Sequence, residues 1–247
     1  MKKLDFVEDN HIHLLCNGDE YFPRLEAAID GAHVEIHLET YIFEYDAVGR
    51  RIAEALMRAV QRGVSVYLLL DGFGSQNLSQ QFIRNLLNAG IKVLIFRPEF
   101  IFSMPRRHRL RRMHRKVTVI DAQTAFIGGI NIIDDRHNPE HLLPRFDYAI
   151  VIQGPLLATI HKAAKHLWMI VAWAHLKKRW TNRTNIKPTE KPAGDQKAAL
   201  VIRDNWRHRH DIEHAYLDAI NQAKSEIIIA NAYFLPGRKF SHALKNA

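Results

Sequence analysis

The sequence predicts an α/β fold in which a mixed β-sheet is flanked by helices on both faces. Over the first hundred residues, short apolar runs of strand length alternate with segments whose apolar residues recur at helical spacing. After residue 113 the pattern changes to closely spaced strands, followed by one long amphipathic helix. The 247 residues are 47% hydrophobic and 25% charged, which is the composition of a packed globular protein.

Apolar periodicity in the first part of the chain predicts three helices that alternate with three strands. The helices are expected over residues 23–32, 47–62 and 79–89, and the strands over residues 34–43, 64–70 and 91–96. In the second helix, Ile52, Leu56 and Ala59 fall on one face. Asp71-Gly72 has the chemistry of a turn that ends the second strand, and the sequence assigns it no further role.

Three further strands are predicted over residues 116–120, 125–127 and 148–152, with a turn near Ala122-Gln123. A long helix over residues 156–176 follows. Its Trp168, Met169 and Trp173 could anchor at a membrane interface. Because the apolar stripe of this helix needs a packing partner, we expect these three side chains in the core.

The chain is expected to comprise a first domain over residues 1–178, a linker over 179–198, and the incomplete start of a second, similar domain over 199–247. The linker lacks apolar periodicity and is rich in proline and charge. Beyond the linker the sequence begins to repeat itself, because residues 220–234 can be laid over 29–43. Residues 242–247 can likewise be laid over 54–59.

One motif carries most of the chemical information. It reads His-x-Lys-x4-Asp and is followed by a Gly-Gly-x-Asn turn; its members are His114, Lys116, Asp121, Gly128, Gly129 and Asn131. Residues two apart on a strand point to the same face, so His114 and Lys116 are expected side by side. A nucleophile next to a fixed positive charge is what attack on a phosphate ester requires.

Each motif residue has an expected role in such a reaction. His114 is the candidate nucleophile, forming a covalent phospho-histidine, and Lys116 places a point charge beside a non-bridging oxygen. Gly128 and Gly129 permit close approach of the backbone, so that their N–H groups could contact phosphate. Asn131 offers a side-chain amide to another oxygen. No metal or cofactor is expected, because the positive charge is built into the protein.

Asp121 completes the motif and is placed with His114 and Lys116 as a catalytic candidate, but its spacing is odd. It lies seven residues after His114, so on a regular strand it would face away from the imidazole. We therefore expect it at the strand end, organising the turn or a partner half. Asp147, just before the strand over 148–152, is the better candidate for holding the imidazole in the correct tautomer.

A basic cluster surrounds the motif and suggests an anionic partner. The candidate lipid-binding residues are Arg106, Arg107, Arg109, Arg111, Arg112 and Arg115. An apolar segment over residues 100–104 precedes them, and the net charge of the chain is +9. An apolar segment followed by arginines suits an anionic bilayer, whereas a solvated loop or a nucleic-acid site would also use such a cluster. The apolar segment favours lipid, and nucleic acid is not the expected partner.

At these residues the chain resembles the phospholipase D superfamily of phosphodiesterases and phosphatidyltransferases, and within it the bacterial cardiolipin synthases. The similarity extends to Leu38-Glu-Thr-Tyr-Ile-Phe43, Leu69-Leu-Asp-Gly-Phe-Gly74, Gln153-Gly-Pro155 and Ala230-Asn-Ala-Tyr-Phe234. The resemblance implies two similar α/β halves. It also implies a reaction: phosphatidylglycerol gives its phosphatidyl group to a histidine, and a second phosphatidylglycerol takes it to form cardiolipin.

The family pattern has two motifs whose histidines share one site, whereas this chain carries one. We therefore expect either an N-terminal fragment of a longer protein or a chain that pairs with a second copy to assemble one site. The partial repeat favours the fragment, and as a fragment the isolated chain is expected to be inactive. The resemblance implies a peripheral protein at the cytoplasmic face of a bacterial inner membrane. The alternatives are a homodimeric phosphodiesterase or nuclease, and a non-catalytic fragment that associates with membranes.

Overall fold

The computed structural model describes residues 4–97, 112–134, 146–177, 180, 186–203, 208–231 and 234–247. The chain divides into two compact units, which are described separately. One comprises Glu8–Lys197, and the other comprises Met1–Val7 with Ala198–Ala247. The predicted division into a first domain, a linker and a second domain stays a prediction.

A mixed β-sheet forms the centre of the larger unit. Within the described ranges its strands are β1 (Val7–Cys16), β2 (Glu35–Thr40), β3 (Ser65–Asp71), β4 (Lys92–Phe96), β5 (Val117–Ile120), β6 (Thr124–Gly128), β7 (Tyr148–Gln153) and β8 (Gln196–Ala198). Their order is β4-β3-β2-β5-β6-β7-β1-β8. Strands β2, β3 and β4 are parallel, and β2 pairs antiparallel with β5. The pairs β5–β6, β6–β7 and β7–β1 are also antiparallel, so the predicted mixed sheet is confirmed.

Four described helices belong to the larger unit: α1 (Asn17–Asp30), α2 (Ala47–Gln61), α3 (Gln80–Asn88) and α4 (Leu157–Ala174). The smaller unit has α5 (Asp211–Gln222) and α6 (Arg238–Asn246). Side-chain caps fix two of the starts, since Asp46 accepts a hydrogen bond from Gly49 N at 2.8 Å and Ser79 accepts one from Phe82 N at 3.1 Å. In the smaller unit, the rings of Tyr216 and Phe240 pack 5.8 Å apart.

The core lies on both faces of the sheet because side chains alternate along each strand. On one face Ile36 and Leu38 pack with residues of α1, α2 and α3. On the other face Tyr67 and Leu69 pack with Trp168 of α4. Each fully buried leucine or isoleucine contributes about 2 kcal/mol. The prediction of helices on both faces is thus confirmed.

Several details differ from the sequence predictions. Strand β1 was not predicted, because Val7 is followed by four polar residues and the strand is defined by its pairing with β7, as in Ile12 opposite Ile152. Helix α1 begins at Asn17 rather than at residue 23, because Pro23 lies inside the helix instead of starting it. Residues 196–198 of the predicted linker form β8.

The expectation for the aromatic residues of α4 is partly wrong. Trp168 is 1% exposed, as expected for a core residue, whereas Met169 and Trp173 are exposed. Trp168 meets the sheet, and the other two lie on the outward side of the helix.

Among the helices that the structure describes, none has the length and apolar character to cross a membrane.

Candidate active site

The predicted nucleophile lies at one edge of the sheet, where three segments meet. Tyr41 directly follows β2, Asp71 ends β3, and His114 and Lys116 lead into β5. Because β2 and β3 are parallel and β5 runs antiparallel to β2, the ends of the first two strands lie beside the beginning of the third. The topology therefore collects these side chains at a single edge.

The His114 and Lys116 side chains are in direct contact, as their spacing predicts. Nζ of Lys116 lies 3.1 Å from Nε2 of His114, and it also donates to the backbone oxygen of His114 at 3.3 Å. An ammonium group has only donors, so Nε2 is the acceptor and the proton of the neutral ring is on Nδ1. Lys116 is 5% exposed, whereas His114 is exposed to solvent. The imidazole is thus reachable, with its unprotonated nitrogen facing a buried positive charge.

Tyr41 forms an aromatic wall beside this pair. The ring centroid of Tyr41 lies 4.8 Å from that of His114 and 5.2 Å from Nζ of Lys116. The pKa of Tyr41 is raised, first by burial and then by the negative charge of Asp71. No sequence pattern singles out Tyr41, although it lies within the Leu38–Phe43 segment that carries the family resemblance.

Burial and charge set the protonation states of the pair. Burial lowers the pKa of Lys116 to about 8, while Asp147 and Asp71 oppose this shift. The pKa of His114 is lowered, first by burial and then by the neighbouring Lys116 charge, against the same two carboxylates. At neutral pH the imidazole is therefore neutral and the ammonium is charged, which is the combination that nucleophilic attack on an anionic ester needs.

Asp71 holds the segment that leads into His114. One of its oxygens accepts a hydrogen bond from Met113 N at 2.7 Å, and the other accepts from Phe73 N at 3.0 Å and Gly74 N at 3.1 Å. The residue is 0% exposed. Asp71 is therefore a positioning residue, whereas its sequence context predicts only a turn.

Asp147 acts on the pair through its charge and not through a direct bond. Its Oδ1 accepts a hydrogen bond from Tyr148 N at 2.7 Å. Within the described part of the chain, no hydrogen bond joins Asp147 to His114, so direct orientation of the ring by Asp147 is not what the structure shows. The carboxylate lies against Gly129, where an added Cβ would collide with Oδ1.

The predicted phosphate contact of the two glycine N–H groups is wrong. Gly128 N donates to the backbone oxygen of Lys116 at 3.2 Å, and Gly129 N donates to that of Tyr148 at 2.9 Å. Both donors are therefore used within the sheet. The glycines instead allow close packing, because a Cβ on Gly128 would collide with Ala149 and one on Gly129 with Asp147.

Asp121 has a structural position, so its place among the catalytic candidates is corrected. It follows β5, at the end opposite His114, and its carboxylate accepts hydrogen bonds from the backbone N–H groups of the first residue of β2 and of the two residues before that strand. The distances are 2.7 Å to His33, 2.8 Å to Val34 and 2.9 Å to Glu35. Its φ of 50° also marks a turn. The expectation that it organises the strand end is confirmed.

Asn131 lies at the site edge. Its Oδ1 accepts a hydrogen bond from Ile42 N at 3.1 Å, next to Tyr41. Because the oxygen is engaged by the backbone, the NH₂ group is the part of this side chain that can serve a ligand oxygen.

The basic candidates fall into three groups. Arg106, Arg107, Arg109 and Arg111 lie outside the described residues. Arg112 places its guanidinium 4.6 Å from the ring centroid of Phe73. Arg115 pairs with a carboxylate of the protein itself, because its Nε lies 3.2 Å from Oε2 of the buried Glu39. The lipid-binding role of these arginines stays a prediction.

One cluster in the described ranges has metal-ligand chemistry, comprising Glu35, His37 and His161, all buried. Oε1 of Glu35 lies 2.5 Å from Nε2 of His161. That is a hydrogen-bond distance, shorter than the roughly 3.3 Å between two ligands of a tetrahedral zinc ion. Burial lowers the pKa of His37 to about 3, and the charges of Lys165 and Lys92 act in the same direction. The cluster is accordingly a buried hydrogen-bonded group near the beginning of β2, away from the end at which the site lies.

Comparison with known proteins places this geometry in a family. Residues 25–169 match the sequence model described as cardiolipin synthase, PLD-like domain. Cardiolipin synthase B of Shigella flexneri is 40% identical over 246 residues, which are 99% of this chain and 59% of that protein. The major cardiolipin synthase of Bacillus subtilis (strain 168) is 30% identical over 246 residues, covering 98% of this chain and 50% of that protein.

The structure of NucT from Helicobacter pylori shares the fold, with a TM-score of 0.50 and 19% identity over 66% of this chain and 96% of that one. The chain spans 59% of the length of the Shigella cardiolipin synthase and 50% of that of the Bacillus enzyme. Because the sequence model matches more than half of its residues, the chain belongs to the phospholipase D-like cardiolipin synthase family.

Proposed function

We propose that this chain carries a histidine–lysine half-site of a phosphatidyltransferase that makes cardiolipin from phosphatidylglycerol. The observation that carries the proposal is the 3.1 Å contact between Nε2 of His114 and Nζ of Lys116, at an exposed edge of the sheet. A phosphodiester oxygen drawn to Lys116 would bring its phosphorus next to the unprotonated imidazole nitrogen. The cardiolipin synthases to which the chain is similar supply the substrate class.

In the proposed reaction, His114 Nε2 forms a bond to phosphorus while the bond from phosphorus to the glycerol oxygen breaks. The leaving alkoxide takes a proton from a general acid. A hydroxyl of a second phosphatidylglycerol then attacks phosphorus, gives its proton to the resulting base, and releases His114. Lys116 and the NH₂ group of Asn131 stabilise the charge on the non-bridging oxygens.

The family resemblance supplies the general acid as the histidine of a second motif. That motif would come from a second half or from a second chain, and the proposed organisation is a first domain, a linker and a second, similar domain. The proposed partner is anionic phospholipid, and the proposed location is peripheral, at the cytoplasmic face of a bacterial inner membrane. The net charge of +9 supports an anionic partner.

A donor with a good leaving group tests the nucleophile without the second motif. Nitrophenolate leaves unprotonated, so a phosphatidyl nitrophenyl diester should phosphatidylate His114 in this chain. Mass spectrometry of peptides, handled at alkaline pH to preserve phospho-histidine, should find the adduct on His114. The adduct should be absent in His114→Ala and retained in His33→Ala, whose imidazole is also exposed.

An adduct that persists in His114→Ala would overturn the nucleophile assignment. Parallel incubation with a labelled oligonucleotide separates the enzymatic alternatives. Cleavage of the oligonucleotide, with no reaction of the lipid ester, would replace the phosphatidyltransferase by a nuclease.

A further inference from the structure

We propose, on the basis of the proposed function, that the outward face of the second half of α4 docks this chain onto an anionic phospholipid bilayer. The docking face comprises Met169, Ile170, Trp173 and, just after the helix, Leu176. It includes none of the candidate lipid-binding arginines.

The docking face is an apolar surface that points away from the core. Ile170, Trp173 and Leu176 are 51%, 57% and 84% exposed. They recur at intervals of three residues, so they lie along one side of the helix. Trp168 and Val171 fill the opposite side and are 1% and 4% exposed. The helix therefore buries one apolar face and presents another.

The charge around the docking face selects an anionic partner. The sequence has no acidic residue between Asp147 and Glu190. The exposed Lys162 continues the same helical stripe toward the beginning of α4. Lys177 follows Leu176, and its ammonium lies 3.9 Å from the ring centroid of Trp180, beside the docking face. Apolar side chains bordered by lysines match the acyl and phosphate layers of a bilayer, because the chains insert while the ammonium groups reach the phosphates. A tryptophan among them suits the boundary between the two layers.

The direction of α4 brings the docking face to the edge of the sheet that holds the candidate site. Early in the helix, His161 bonds to Glu35, the first residue of β2. Later, the ring of Trp168 packs 5.1 Å from that of Tyr67 in β3. The helix thus advances from the beginning of β2 toward the end at which the site lies.

The last buried residues of α4 complete this path. Val171 and Ala172 belong to the same apolar cluster as Met113, the residue directly before His114. Ile170 and Trp173, which flank these two residues in the helix, are therefore at the site end of the larger unit. Docking through them would place His114 near the phosphate layer that contains its proposed substrate.

Vesicle flotation tests the docking face. The chain should float with vesicles of equal parts phosphatidylglycerol and phosphatidylcholine, and bind phosphatidylcholine vesicles weakly. The double variant Ile170→Glu/Trp173→Glu should lower affinity for the anionic vesicles by about tenfold or more, because two charges would enter the apolar layer. Leu14→Glu is the matched control, since Leu14 is 54% exposed on β1, and it should bind like the parent.

A measurement on the folded parent protects the test against misfolding of the double variant. Lipids brominated on their acyl chains should quench tryptophan fluorescence, and Trp173→Phe should remove most of the quenching. Unchanged flotation of a folded double variant would overturn the proposal. So would a variant that changes only self-association, since the face would then be a protein interface.

The flotation assay reads binding and needs no turnover, so it separates this proposal from the proposed function. His114→Ala should float like the parent. Flotation that depends on α4 without any His114 adduct would retain the docking face and remove the catalytic assignment. A His114 adduct without flotation would retain the catalytic assignment and remove the docking face.

Discussion

The carboxylate of Asp71 accepts a hydrogen bond from Met113 N at 2.7 Å, so the end of β3 fixes the residue directly before His114. At the other end of β5, the carboxylate of Asp121 also accepts hydrogen bonds from the backbone. Each of the two carboxylates accepts from three backbone N–H groups. The two aspartates therefore form a matched pair, in which only Asp71 adjoins the candidate site.

Replacing either aspartate by alanine should destabilise the protein to a similar degree. Asp71→Ala and Asp121→Ala each leave three backbone donors without their acceptor, and we expect each to lower the free energy of unfolding by roughly 2–4 kcal/mol. Urea denaturation measures this loss. Asp195→Ala, at an exposed position, is the control and should change it little.

The two variants should differ at the site itself. Asp71 raises the pKa of His114, so Asp71→Ala should lower that pKa, whereas Asp121→Ala should leave it unchanged. NMR titration of the imidazole resonance, assigned with His114→Gln, provides the measurement. A shift of the His114 pKa in Asp121→Ala would show that Asp121 acts on the site after all.

The site was partly predictable, because some of its relationships are local in sequence. The contact between His114 and Lys116 follows from the period of two along an extended chain. The structural use of Asp121 follows from its odd spacing, although its partners, His33 to Glu35, could not be named, since they lie 86 to 88 residues earlier.

Other features depend on pairing that no local pattern encodes. The bond from Met113 to Asp71 joins residues 42 apart. The N–H of Gly129 is used by Tyr148 because β6 pairs with β7, and this pairing overturned the predicted phosphate contact. The outward face of α4 was misjudged because an apolar residue on a helix can face the core or the solvent, and only the packing of Trp168 decides which.

Asp147 should tune both members of the pair through space. Its charge raises the pKa of His114 and of Lys116, so Asp147→Asn should lower both values. Gly129→Ala should also lower the pKa values of His114 and Lys116, because the new methyl group would push the Asp147 carboxylate aside. NMR titrations of the imidazole and of ¹³C-methylated lysine measure the two groups. Unchanged values in both variants would contradict this role.

Binding of a phosphodiester should weaken at alkaline pH because Lys116 loses its proton. With a pKa of about 8, its charged fraction falls about tenfold between pH 7 and pH 9. The His114 imidazole is neutral at both values, since its pKa is lowered. Titration with glycerophosphoglycerol, the soluble head group, should therefore show about tenfold weaker binding at pH 9.

Lys116→Arg separates this charge effect from other alkaline changes. A guanidinium stays protonated across the range, so the affinity of this variant should be the same at pH 7 and pH 9. Equal affinity of the parent at the two pH values would show that the charge of Lys116 does not govern binding.

Glu39 links the stability of the protein to pH from behind the site. It is 3% exposed, and burial raises its pKa to about 7, against the attraction of Arg115 at 3.2 Å. Between the unfolded value near 4.5 and the folded value near 7, the folded protein binds the extra proton. The stability that Glu39 contributes is therefore full at low pH and is lost as the pH rises through 7.

Glu39→Gln keeps a neutral side chain at every pH, so its stability relative to the parent should improve from pH 5 to pH 8. We expect this relative gain to be on the order of 1–3 kcal/mol. Urea denaturation at the two pH values measures it, with Glu54→Gln on the exposed side of α2 as the control that should show no such trend. If the difference between Glu39→Gln and the parent were the same at both pH values, Glu39 would be ionised throughout this range in the folded protein. The ion pair with Arg115 would then outweigh the burial of its carboxylate.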